Sequence, residues 1–236
     1  MHPAPDYVPW RMRYSTEFMF EIDTRQIRAR LPRRLLPVEV RPGAALLSIG
    51  STIFEEGNAR ALPGFTEITI STLVQPSFAR MSDFGVPKIA VYVFRVCATS
   101  DAFLRYTSEV DKVPVLEAPR LQVEIDERRF RTRASDERGP IFDIENVGGA
   151  PTFKPQAFPF QVVTAKDDFV YLANVQVVGH IFEHQDKGEF GALFPHPFFG
   201  GLDVSRCTPY MQYMSPPRSG AVMNWRPPVK LMPARA

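Results

Sequence analysis

Prolines punctuate this chain from end to end, and that constrains its fold more than any other feature. There are 23 in 236 residues, running from Pro3 to Pro233, about twice an average share of roughly 5%. A proline inside a helix removes a backbone donor and costs about 3 kcal/mol. Spread this evenly, they leave no room for a long-helix bundle or a coiled coil. Disorder is excluded as well, because 44% of the residues are apolar and 12% aromatic, enough for a sizeable core. What remains is a β-rich globular chain with many turns, and a single barrel-like domain can account for this length.

Charge narrows the partners. The 28 basic and 26 acidic residues leave a net charge of +2, which argues against nucleic acid or a membrane surface as the main partner and leaves a small molecule. Six of the basic residues are lysines (Lys88, Lys112, Lys154, Lys166, Lys187 and Lys230), so amine chemistry has few candidates. Cys97 and Cys207 have no metal-type spacing and fit a reduced compartment better than a disulfide framework. The first residues, MHPAPDYVPWRMRYSTEF, carry no apolar leader, and no apolar stretch is long enough to span a bilayer. A cytoplasmic protein is the expectation, with neither metal nor cofactor.

Along the chain, the first dozen residues read as an extended arm and Tyr14–Ile22 as a strand. A short helix follows, capped by Thr24 and stopped by Pro32, with Ile27 and Leu31 one turn apart. Ala44–Phe54 reads as a strand and Glu55–Gly64 as a loop. Phe65–Gln75 is the cleanest strand, with Phe65, Glu67 and Leu73 on one face and Ile68, Ile70 and Val74 on the other. Lys88–Thr99 is apolar on both faces, as a covered central strand would be. Asp101 is placed to cap a short helix. Arg120–Glu145 reads as two or three strands with charged turns, Phe169–Phe182 as another long strand, and the Pro-rich tail from Ser215 as a surface wrap. Neither repeat nor linker divides the chain, so residues 1–236 are expected to form one mainly β domain with short helices.

Familiar chemical motifs are absent: there is no dinucleotide-binding or phosphate-binding glycine loop, no nucleophile elbow and no zinc-protease helix. His180 and His184 lie near Glu183 and Glu189, but a strand would set the two histidines about 13 Å apart, so a solvated loop is expected. Five arginines and five acids alternate through Glu124–Gly139, the pattern of a solvent-facing hairpin. Polar residues on apolar strands say more. Asn174, Gln176 and His180 share a face with Val170, Leu172 and Val178, and Glu67 shares one with Phe65 and Leu73. In a closed barrel such a face lines a ligand cavity, and in an open sheet it is simply wet. The pattern alone leaves both open.

The order of short motifs resembles the acetoacetate decarboxylase-like superfamily. An arginine precedes the first strand in Arg13–Asp23 (RYSTEFMFEID), and a short helix ends in Leu31–Pro32–Arg33–Arg34–Leu35. The segment Phe65–Thr66–Glu67 follows a further strand, and later comes Pro119–Arg120–Leu121–Gln122–Val123–Glu124. The likeness runs over roughly residues 10–125. It implies a β-cone or closed barrel with a central cavity, in which a lysine forms a Schiff base with a β-keto acid beside an arginine and a glutamate. Arg13 and Glu67 match those two positions. Such a lysine must be neutral near pH 7, hence desolvated or beside another cation. Here Val113–Pro114–Val115 stands where the family keeps its lysines, with Lys112 two or three residues off. A second family glutamate, one strand before Phe65–Thr66–Glu67, has no counterpart, because Ala44–Phe54 contains no acid.

Three functions follow as expectations. The first is an enzyme on this scaffold without a Schiff base, acting on a keto- or carboxylate-bearing, polyketide-like molecule. Glu67 would be its general acid or base and Arg13 its oxygen-binding cation, with His196, Asn174 and Gln176 as substrate-binding residues; the reaction would be cyclisation, dehydration, isomerisation or hydrolysis. The second keeps the Schiff base on Lys112. The third is a non-catalytic binder of a hydrophobic ligand. Phe- and Pro-rich segments near the C-terminus point to a homo-oligomer.

Overall fold

The computed structural model of the chain describes residues 7–57, 62–77, 84–146, 151–185, 191–217 and 219–234. The first six residues of the expected arm, with His2, and Glu189 of the histidine–acid cluster lie outside them.

Alternation of apolar and polar side chains sets long strands, and the strands close on themselves. The wall is built from β1 (Val8–Asp23), β3 (Ala44–Phe54), β4 (Phe65–Val74), β5 (Ile89–Ala98), β9 (Lys154–Lys166) and β10 (Phe169–Gln185), each paired with the next. β12 (Thr208–Ser215) and β13 (Ala221–Trp225) bridge β10 back to β1 and complete the ring. Among the described strands the pairings are antiparallel except β5–β9. β2 (Glu39–Arg41) and β14 (Val229–Pro233) add short edges on β3 and β10. The fold is mainly β with short helices, as expected.

Closure gives the sheet an inside and an outside. On the outside, Phe18, Phe20 and Ile22 of β1, Leu47 and Ile49 of β3, and Ile68 and Ile70 of β4 form one core with a second sheet. That sheet contains β6 (Gln122–Asp126), β7 (Arg131–Asp136), β8 (Gly139–Glu145) and β11 (Gly191–Leu193), and it contributes Ile141, Phe142 and Ile144. Each such side chain is nearly inaccessible and contributes about 1.5–3 kcal/mol by leaving water. The alternating charges of Glu124–Gly139 lie on this sheet and pair there, with Arg131 bidentate to Asp143 at 2.7 and 2.6 Å and Arg129 on Glu145 at 2.8 Å.

Several boundaries differ from the sequence reading for local reasons. β1 starts at Val8 because residues 8–12 pair with β13, so the tail beyond Ser215 is barrel wall, not a surface wrap. The helix α1 (Thr24–Arg28) is capped by Asp23, whose carboxylate accepts from the Arg25 N–H at 2.8 Å, one residue before Thr24. Helix α2 (Asp101–Glu109) is capped by Ser100, whose hydroxyl accepts from the Phe103 N–H at 3.3 Å. β9 escaped the sequence reading because Pro155 and Pro159 interrupt it. The carbonyl of Pro159 accepts from Lys88 N–H at 2.8 Å, so its missing donor falls where pairing with β5 only begins.

Candidate functional site

The barrel interior holds a cavity of about 210 Å³. Aromatic side chains close one end. Helix α2 inserts Phe103, whose ring stacks on Phe65 at 4.2 Å and meets the edge of Trp10 at 5.7 Å. Thr107, one turn on, faces the same space. Met223 and Trp225 of β13 and Phe158 and Phe160 of β9 line the wall elsewhere.

Three neighbouring strands supply the polar floor. Across β1, β3 and β4, Ser15, Thr52 and Glu67 form one row of register partners, and Glu17, Gly50 and Thr69 form the next. Ser15 and Thr52 share a hydroxyl–hydroxyl hydrogen bond of 3.0 Å. The Thr69 hydroxyl donates to Glu67 Oε1 at 2.7 Å, and the Ser48 hydroxyl donates to Glu17 Oε1. Gly50 makes room for this arrangement: a Cβ there would lie 2.5 Å from Glu17 Oε2. The Glu17 carboxyl therefore rests over Gly50, while that of Glu67 leans across to Thr69, the register partner of Gly50.

Both glutamates face the cavity, so part of their surface is open to it, yet they lie deep beneath the molecular surface. That depth raises each carboxyl from about 4.5 to about 7. Loss of hydration is the main cause at both, opposed by Ser48 at Glu17 and by Thr69 at Glu67, and the Glu67 charge raises Glu17 further. Asp111, buried just after α2, is the third acid on the lining. Among the described residues, no lysine, arginine or histidine lines the cavity.

Of the six residues singled out from sequence, Glu67 is the one on the cavity wall. Arg13 is outside. A β-bulge on β1 falls between Met12 and Tyr14, where the pairing with β3 shifts register. Met12 points in, Tyr14 packs in a core outside the barrel with Phe130, and Arg13 reaches out to Glu127 with its Nε at 2.9 Å. Lys112 adopts a left-handed φ of 58° between Asp111 and Val113. Those two neighbours line the cavity and Lys112 does not. Val113 is buried there, and Pro114 and Leu116 bond to Val96 of β5, which fixes the segment against the wall.

His196 is buried on the far side of the sheet. Its Nδ1 accepts from the Phe198 N–H at 3.1 Å, and its Nε2 lies 3.0 Å from Asp136, which Arg138 also holds. It is a capping residue of the 3-10 turn Pro197–Phe199, not a cavity residue. Asn174 and Gln176 alternate with Ala173, Val175 and Val177. The odd-numbered set belongs to the inner core, so both amides face outward. Asn174 accepts from Gln161 at 3.2 Å, and Gln161 in turn holds Ser77. Glu17 was missed because Ser15, Glu17, Glu21 and Asp23 read as the wet face of an amphipathic strand. Its only signal was that this face also carries Met19.

No protein-family model matches the sequence, and no curated protein sequence matches it. Solved structures do match by shape. The chain is similar to a structure from a study of acetoacetate decarboxylase, with a TM-score of 0.62 over 98% of this chain and 91% of that one, at 12% identity. It is also similar to the acetoacetate decarboxylase of Legionella pneumophila, with a TM-score of 0.64 over 98% and 92% of the two chains, again at 12% identity. The fold is acetoacetate decarboxylase-like.

Proposed function

We propose that this protein is a small-molecule enzyme on an acetoacetate decarboxylase-like scaffold, using Glu67 as general acid or base on a keto-bearing, polyketide-like substrate. The observation that carries the reading is a carboxyl held near neutrality in an apolar cavity with no basic residue on its described lining. An acid that titrates near pH 7 both gives and takes protons at working pH. Decarboxylation through a Schiff base needs an amine in the cavity, and Lys112 lies off its lining. A carboxylate-bearing substrate would bring a further negative charge beside Glu17 and Glu67, on a described lining that holds no basic residue, which the interior penalises. The keto side of the expected substrate range is therefore favoured, and cyclisation, dehydration and isomerisation are the reactions that suit it.

The test is turnover of a panel of neutral β-hydroxy ketones and 1,3-diketones, followed by mass spectrometry and NMR. Wild type is expected to convert at least one of them, and Glu67→Gln to lose about 10²–10⁴-fold. Unchanged turnover in the variant removes Glu67 from the chemistry. Borohydride reduction with acetoacetate is expected to leave every lysine peptide unmodified, and an adduct on Lys112 would restore the amine mechanism. The apolar walls also suit a non-catalytic carrier. Recovery of an unchanged hydrophobic ligand from the purified protein, with no turnover across the panel, would favour that reading.

A further inference from the structure

Glu17 stands in the same space as Glu67 and has no part in the reading above. The two come from strands separated by β3, one row apart. Their carboxyls nevertheless converge, because Glu17 lies over Gly50 and Glu67 is drawn by the Thr69 hydroxyl toward the Gly50–Thr69 row. A Cβ on Gly50 would lie 2.5 Å from Glu17 Oε2 and 3.7 Å from the Cβ of Thr69, whose hydroxyl holds Glu67, so the two carboxyls approach to the order of one strand spacing, about 5 Å. Each keeps one oxygen on a hydroxyl donor, and among the described residues no hydrogen bond is seen to the other. Two acids this close beneath the molecular surface do not both ionise readily, and the favoured state holds one proton between them.

We infer that Glu17 and Glu67 act as an acid–base pair across Gly50, one as carboxylate and one as carboxylic acid, on an uncharged ketone with an enolisable α-C–H. This rests on the reading of the cavity as an acid–base site and names its second catalytic residue and its substrate class. The carboxylate takes the α-proton, and the C–H electron pair becomes the C=C bond of the enol. The C=O π pair takes the proton of the carboxylic acid. One carboxyl gains a proton and the other loses one, with no change in total charge and no oxidation or reduction. Isomerisation, aldol-type cyclisation and dehydration of β-hydroxy ketones all proceed from this enol. The groups that share the cavity with the pair are Tyr213 of β12, opposite Glu17, and Asp111 after α2; Cys97 lies on the outer face of β5, its thiol pushed up to about 12 by burial. β3 supplies only hydroxyls.

Two probes of matched length test the pair: 2-heptanone, and 6-oxoheptanoate, which adds a carboxylate. Binding is read from tryptophan fluorescence, since Trp10 and Trp225 are the chain's two tryptophans and both line the cavity. Catalysis is read as exchange of the ketone's α-protons in D2O by NMR. Wild type is expected to bind and exchange 2-heptanone with a bell-shaped pH profile, and to do neither with 6-oxoheptanoate. Glu17→Gln and Glu67→Gln should each keep binding and lose at least about 100-fold in exchange. Ser48→Ala leaves both carboxyls but removes a donor that favours ionised Glu17, so the bell should move to higher pH. Gly50→Ala should displace the Glu17 carboxyl and reduce exchange with the acid still present. If Glu17→Gln exchanges like wild type while Glu67→Gln does not, the pair is wrong and the Glu67 reading survives. Ketone binding without exchange, or exchange indifferent to both variants, overturns the acid–base reading itself. Fluorescence that responds to hexylamine or to 6-oxoheptanoate but not to 2-heptanone overturns the substrate class.

Discussion

Glu17 and Glu67 are groups that the fold would be more stable without at neutral pH. Their folded pKa values near 7 lie above the ordinary 4.5, so between those values the native state binds more protons than the unfolded chain. Stability is therefore highest below about pH 4.5 as far as these groups are concerned, falls as pH rises toward 7, and levels off above. A shift of this size corresponds to a cost on the order of 3 kcal/mol per carboxyl once ionised. Glu67→Gln is accordingly expected to melt higher than wild type at pH 8, with the gap closing at pH 5. Thermal unfolding followed by circular dichroism across that range checks it, and a wild-type advantage at pH 8 would mean the carboxyl is stabilised by something other than its hydroxyl partner. Such a pair costs the fold stability, which accords with the catalytic role proposed for it. At this scale the sequence exposed Glu67, whose face also carried Phe65 and Leu73. It concealed Glu17, whose strand neighbours Glu21 and Asp23 made the same face look solvated.

β1 shows why single elements carry the site. It supplies Trp10 and Met12 to the cavity, then passes through its bulge, and continues with Ser15 and Glu17 inward and Phe18 and Phe20 outward. A one-residue slip in a strand of period two sends each side chain to the opposite face. An alternation pattern read straight through Arg13 therefore cannot assign faces on both sides of it. Helix α2 has the opposite character, being short, capped by Ser100, and fixed by what it inserts. Phe103 is 4% exposed and stacked on Phe65. Phe103→Ala is expected to cost about 3–5 kcal/mol in urea unfolding and to enlarge the cavity, so that bulkier ketones quench tryptophan fluorescence in the variant but not in wild type. A cost below about 1 kcal/mol would mean that α2 is not what closes this end.

Closure is a property of the whole molecule, and it depends on the last strands made. β13 pairs with residues 8–12 of β1 on one side and with Val175–Val178 of β10 on the other. A chain ending at Ser215 would keep most of the apolar core but leave both of those edges open, exposing backbone donors and acceptors beside the inner wall. It is expected to lose cooperative unfolding and near-ultraviolet circular dichroism, to bind a hydrophobic dye, and to aggregate. A truncated chain that stays monomeric with a sharp melting transition would show that the ring tolerates an open seam. No described helix is long and apolar enough to cross a membrane.

By itself the sequence determined the class of the fold and one catalytic candidate. Proline placement excludes long helices locally, and alternation or a continuous apolar run marks strands locally, so β4 and β5 were legible within a residue or two and Arg120–Glu145 as two or three strands without their bounds. Which face of each strand becomes the interior is not a local property. Two strands carried polar residues among apolar ones: Glu67 on β4 turned inward, and Asn174 and Gln176 on β10 turned outward, because pairing around the ring sets the faces jointly. The bulge that excludes Arg13, the glycine that admits Glu17, and the turn that leaves Lys112 beside the cavity are likewise fixed by neighbours distant in sequence. Scarce lysines already argued against the amine, and the tertiary structure leaves Lys112 off the cavity lining and puts on it two carboxyls that only barrel closure brings together.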